Sequence, residues 1–213
     1  MSIQIKGHTI SNIVVSTIMG HSGNGMFPFT LFPAYRRFAQ VVRETGLTVL
    51  TKSSTCQRHW GNFRLHNPLT WKYIQRLRGI ERLRGDGLLN AYGLTNRGVK
   101  VNAPRIASAI VNNGFNVIPN FYPQFAHGQN RAIADTLGAI ETYADSLCAL
   151  FWALELNFSC PNSAEKIREN MRDALACVKA IRQAYPNLCL IAKISIVHPY
   201  GFAQELIDAG VDI

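Results

Sequence analysis

The stretch "LELNFSCPN", residues 154–162, opens as an apolar strand and closes in two carboxamides, a hydroxyl and a thiol. A buried cysteine usually behaves as a small inert hydrophobe. Cys160 instead lies between Ser159 and Pro161 in a polar loop, three residues beyond Asn157, and that is not core composition. Cys148, Cys177 and Cys189 occupy apolar positions and read as inert. A second candidate is Lys52 in "TVLTKSST". An ammonium at a strand end can pair with an anionic substrate or with the ring oxygens of a cofactor, although a lone lysine there is commonly just solvated. A third is "LLNAYGLTNRGV", with Asn90, Gly93, Asn96 and Gly98. Its glycines permit close backbone approach, and its carboxamides offer donors and acceptors to a planar polar ring. Both residue types are also ordinary in turns.

These residues need elements to hold them. Apolar runs rich in Val and Ile alternate with amphipathic runs at helical spacing. Strands are predicted at residues 12–19, 47–54, 115–122, 154–159 and 188–195. Helices are predicted at 33–46, 103–114, 130–150, 164–185 and 201–210, with "VDI" at 211–213 as the first residues of one more strand. Strands that alternate with helices and are apolar on both faces argue for parallel βαβ units. The segments "GHSGNG", "TKSST", "NFYP", "NFSCPN" and "KIS" all fall where a strand ends. In a βα barrel those ends share one face, and that face carries the active site. "GHSGNG" is not the G-x-G-x-x-G dinucleotide fingerprint; it suits a loop over a flavin or a plain turn.

Composition sets the outer limits. The chain has 213 residues, 47% of them hydrophobic and 16% charged, which suits one domain over residues 1–213 with a sizeable core. No apolar run reaches the roughly 20 residues of a membrane span, and "MSIQIKGHTI" lacks the pattern of a secretory leader. A cytoplasmic protein with no membrane partner is expected. The five cysteines form no C-x-x-C pair and the six histidines no H-E-x-x-H, so neither a disulfide framework nor a metal is expected. The net charge of +9 and the basic run "RLRGIERLRG" are consistent with a solvated surface, or with a site for a phosphate-bearing ligand or RNA.

In this order the motifs resemble class 1 dihydroorotate dehydrogenases. The resemblance rests on "TKSST" followed by R-x-x-G-N-x-R, on "LLNAYGLTNRGV", on "ELNFSCPN" and on Lys193 in "AKIS", and it runs from about Asn12 onward. It implies a (β/α)8 barrel of the TIM type that binds FMN and oxidises dihydroorotate to orotate in pyrimidine biosynthesis. Gly20, Lys52, Ser53, Asn120, Asn157 and Lys193 would then touch the flavin. Lys52, Asn90, Gly93, Leu94, Asn157 and Asn162 would hold the substrate, and Cys160 would be the general base. The chemistry is consistent with that assignment. Forming the C5–C6 double bond removes a proton from C5 and a hydride from C6, and the protein must supply the base. A homodimer, or pairing with an electron-transfer subunit, is implied as well, and nucleic acid is not expected as a partner.

Departures from the family pattern shape further expectations. Ile18, Met19 and Gly20 replace the usual Ala-Ser-Gly, and Tyr122 and Pro123 replace a small residue and Gly. Bulk at both places would crowd the flavin. The family barrel takes roughly 300 residues, within the usual range for this architecture. The sequence therefore reads as an incomplete barrel of about five βα units lacking its C-terminal strands, and as a chain that by itself is colourless and inactive. The rival readings are a related flavin enzyme, such as a dihydropyrimidine dehydrogenase domain or a tRNA dihydrouridine synthase, and a non-catalytic remnant.

Overall fold

The computed structural model describes residues 2–27, 29–61, 80–82, 88–90, 93–159 and 170–213. In chain order the strands are β1 (Ser2–Ile5), β2 (His8–Ser11), β3 (Val14–Ser16), β4 (Thr48–Leu50), β5 (Ile80–Arg82), β6 (Leu88–Asn90), β7 (Asn116–Ile118), β8 (Asn120–Phe121), β9 (Ala153–Asn157) and β10 (Cys189–Lys193). The helices are α1 (Pro33–Glu44), α2 (Val99–Val111), α3 (Gln129–Leu147), α4 (Met171–Ala184) and α5 (Tyr200–Ala209).

β3, β4 and β7 pair in parallel, and so do β8, β9 and β10. Pro119, which has no N–H to give to a ladder, divides β7 from β8. Its carbonyl still accepts from Glu155 N at 2.9 Å, and Ser54 N donates to Asn120 O at 2.9 Å. The two groups of strands thus form one parallel sheet in sequence order, with a helix between successive strands. After α5, Ile213 N donates to Leu190 O at 3.2 Å and Ala192 N to Ile213 O at 2.8 Å. Ile213 therefore lies beside β10, where the sequence predicts the first residues of one more strand, although no strand is formed over 211–213 and Val211 N still donates to Leu206 O of α5. Among the described residues the sheet does not close on itself.

Strand alternation sends the two faces to different cores. Val15, Val49, Val117, Leu154, Leu156 and Leu190 point outward and pack with Ile106, Ile140, Val178, Ile181 and Phe202 of the helices. Ile118, Ala153 and Cys189 point inward, with Leu50 and Ile191. Beneath them sit Ile5 and Ile10 of an N-terminal hairpin that the sequence pattern does not announce. Its turn places Lys6 at φ 48° and Gly7 at φ 79°, the pair of positive values a tight two-residue hairpin turn requires. β5 and β6 form a second antiparallel pair inside a stretch read as irregular. The helix read at 164–185 is described from Met171 onward.

Asp212 ties the hairpin to the last strand positions. Its carboxylate meets Lys6 Nζ at 3.0 Å and Arg182 at 2.8 Å, and accepts from Leu190 N at 2.8 Å. Burial works to raise its pKa, but these three donors outweigh it and hold the carboxyl below its ordinary value. Its contribution is present above the ordinary carboxylate pKa and is lost as pH falls through the lower folded value. Asp212→Ala should cost about 2 kcal/mol at neutral pH, the usual worth of charge-assisted hydrogen bonds lost together. Urea denaturation checks this, and the deficit should shrink below about pH 4.

Candidate functional site

The carboxyl ends of the parallel strands bring most of the sequence candidates together. Gly20 follows β3 at φ 74°, and a Cβ there would stand 2.9 Å from the Gly25 carbonyl oxygen. Only glycine fits this turn, whose carbonyl accepts from Lys52 N at 3.0 Å. Lys52 itself is half-buried. Next to it Ser53 Oγ accepts from Asn157 Nδ2 at 2.8 Å. The Asn157 Oδ1 takes the Ser159 N–H at 3.1 Å, so this carboxamide is held from both ends before any ligand arrives. Lys193 is the register partner of Asn157 on β10 and is exposed. Asn120 is 3% exposed, and its backbone N–H donates to Thr51 Oγ1 at 2.9 Å. Its Nδ2 donates to Glu155, and its buried Oδ1 has no partner among the described residues.

The substrate candidates divide. Gly93 is buried, and Leu94 adopts φ 58°. Their loop reaches the cluster through Thr95, whose carbonyl lies 3.1 Å from His21 Nε2. Asn96 is occupied structurally. Its Oδ1 accepts from Gly98 N at 2.8 Å and Thr55 N at 3.2 Å, and its Nδ2 donates to Leu94 O at 2.7 Å. It therefore pins the loop to the segment after β4. Asn90 ends β6. Cys160 and Asn162 lie outside the described residues.

Two residues of the cluster escape motif reading. His21 was hidden in "GHSGNG", which draws attention to its glycines. Burial first, then the charge of Lys52, push its pKa down to about 4. Glu155 is 2% exposed and lies on the same inward face as Asn157, two residues earlier. Burial raises its pKa to about 7, against the opposing pull of Lys193 and the Asn120 hydrogen bond. The available signal was a lone acid in an otherwise apolar strand. Met19, expected to crowd a ligand, is fully buried in the helix-side core instead.

The other thiols differ among themselves. Burial pushes Cys177 up to about 12 and Cys189 up to about 11, which suits inert core positions. Cys148 is exposed just after α3 and is not a core residue, contrary to the sequence reading.

The cluster offers two ammonium groups, fixed carboxamides and a glycine turn around one strand-end face. That donor set fits the polar edge of a planar ring bearing carbonyl oxygens and imide nitrogens. No protein-family model matches the chain, and no curated protein matches it. Among the described residues no helix is long and apolar enough to cross a membrane.

Proposed function

We propose that the protein is an FMN-dependent oxidoreductase of the class 1 dihydroorotate dehydrogenase type, built from βα units of a (β/α)8 barrel. One observation carries the reading: residues from four separate sequence motifs meet at one sheet edge. Gly20 bonds to Lys52, Ser53 bonds to Asn157, and Lys193 pairs in register with Asn157. The sequential parallel strand order supports the barrel, because doubly wound sheets reorder their strands about a switch point. Ligands of barrels sit at the strand carboxyl ends, where this cluster lies.

Gly20, Lys52, Ser53, Asn120, Asn157 and Lys193 would hold the FMN ring. When bound, FMN supplies the acceptor for the hydride leaving C6 of dihydroorotate. Lys52 and Lys193 would favour negative charge at the ring and on the substrate carboxylate. Asn157, held by Ser53 and Ser159, needs little reorganisation to read a pyrimidine edge. His21 stays neutral near pH 7 and adds no competing cation. Cys160 would accept the C5 proton.

Lys52 provides the test. A charge-assisted hydrogen bond contributes about 1.5–3 kcal/mol, so Lys52→Ala should raise the dissociation constants of both FMN and orotate by about 10- to 150-fold. Flavin fluorescence titration and orotate binding measure the two. Wild-type values for both in a folded variant would reduce Lys52 to a solvated side chain and remove a central support of the reading.

A further inference from the structure

We propose that the strand-end site takes up its anionic ligand together with one proton, held on the Glu155 carboxyl. The inference rests on the reading above, in which an anion such as orotate lies beside the strand-end lysines.

Glu155 is 2% exposed on the inward face of β9, and its hydrogen-bond partner among the described residues is Asn120 Nδ2 from β8. The charge acting on it is that of Lys193, from β10. At the end of β4 stands Lys52, with His21 in the turn beside it. A buried carboxylate needs several donors to offset its lost hydration, and one carboxamide leaves it under-solvated. The acid and its anion are then close in free energy, in keeping with a pKa raised to about 7. An anion arriving beside Lys193 draws on the ammonium that favours ionised Glu155 and adds a like charge. Both effects move the carboxyl toward its protonated form. His21, down at about 4, does not titrate in the same range. Orotate keeps a single charge there too, and the one other acid of the proposed site that titrates in this range, Cys160, is removed by Cys160→Ala, which should keep the proton uptake.

Orotate is titrated into the protein with saturating FMN between about pH 6 and 8.5, in buffers of differing ionisation heat. A nearby charge shifts a carboxyl by about one unit or more, so the wild-type dissociation constant should rise about tenfold across the range. The binding heat should vary with the buffer, which reports proton uptake. Glu155→Gln, close in shape, should bind orotate with no pH dependence and no buffer dependence. Wild-type binding that ignores pH and buffer overturns this inference and leaves the functional reading standing. So does a Glu155→Gln variant that keeps the wild-type profile. No orotate binding at any pH overturns both. Should Glu155→Gln fail to fold, Cys160→Ala decides: buffer dependence that persists there supports Glu155, and buffer dependence lost there overturns the inference.

Discussion

On the proposed reading, and in a protein that carries the whole barrel, Cys160→Ala should slow dihydroorotate-driven flavin reduction by about 10²–10⁴-fold, the usual worth of a general base. FMN binding should stay at the wild-type level. The proposed reaction would remove a proton from carbon, and a thiolate is a competent acceptor only where its pKa lies near the working pH. Burial has pushed Cys177 up to about 12 and Cys189 up to about 11, beyond that range. Cys56 is raised too, by burial first and then by Asp135. Cys148 is exposed at the far end of α3 from the strand-end cluster, beside the start of β9. Cys160 alone follows Asn157 directly out of the strand-end cluster. A free thiol near pKa 8.5 keeps a small reactive thiolate fraction at neutral pH. Anaerobic single-turnover mixing followed at the flavin absorbance gives the rate. A variant that reduces flavin at the wild-type rate takes Cys160 out of the mechanism.

Glu155→Gln and His21→Gln should give stability-against-pH curves of opposite slope. Glu155 has a folded pKa of about 7 against an ordinary 4.5, so the native state binds more protons between those values. Stability from this group therefore falls as pH rises through that window, by up to about 3 kcal/mol. His21 has a folded value of about 4 against 6.5, so here the unfolded chain binds more protons. Its effect is a loss of stability as pH falls from 6.5 to 4, of about the same size. In the wild type the two largely offset each other between pH 4.5 and 6.5. Glu155→Gln removes one side, and stability should then fall on acidification. His21→Gln keeps a donor for the Thr95 carbonyl and removes the other side, and stability should then rise. Urea denaturation at a series of pH values reads both. Slopes of the same sign in the two variants would show that at least one group does not titrate as its surroundings dictate.

Much of the frame was legible in the residues themselves. The switch between strand and helix periodicity located β3, β4, the β7–β8 run, β9 and β10, because burial on both faces demands near-continuous apolar strands. The polar residues after each strand marked the candidate site, since buried polar side chains such as Asn120 and Asn157 are kept only where hydrogen-bond partners meet them. The short "VDI" is not a strand in its own right, although Asp212 and Ile213 hydrogen-bond to β10.

Tertiary structure decided the rest, because long-range contacts carry no local signature. The hairpin of β1 and β2 is short and largely exposed, and it gains its place from Ile5 and Ile10 packing beneath the sheet and from Lys6 meeting Asp212. The carboxamides of Asn96 and Asn157 look alike in sequence. Three-dimensional neighbours made one a loop clamp and left the other facing the site, held by two serines. Glu155 and His21 acquire their altered proton affinities only where distant strands and turns strip away water, since desolvation depends on what closes over a group and not on its sequence neighbours.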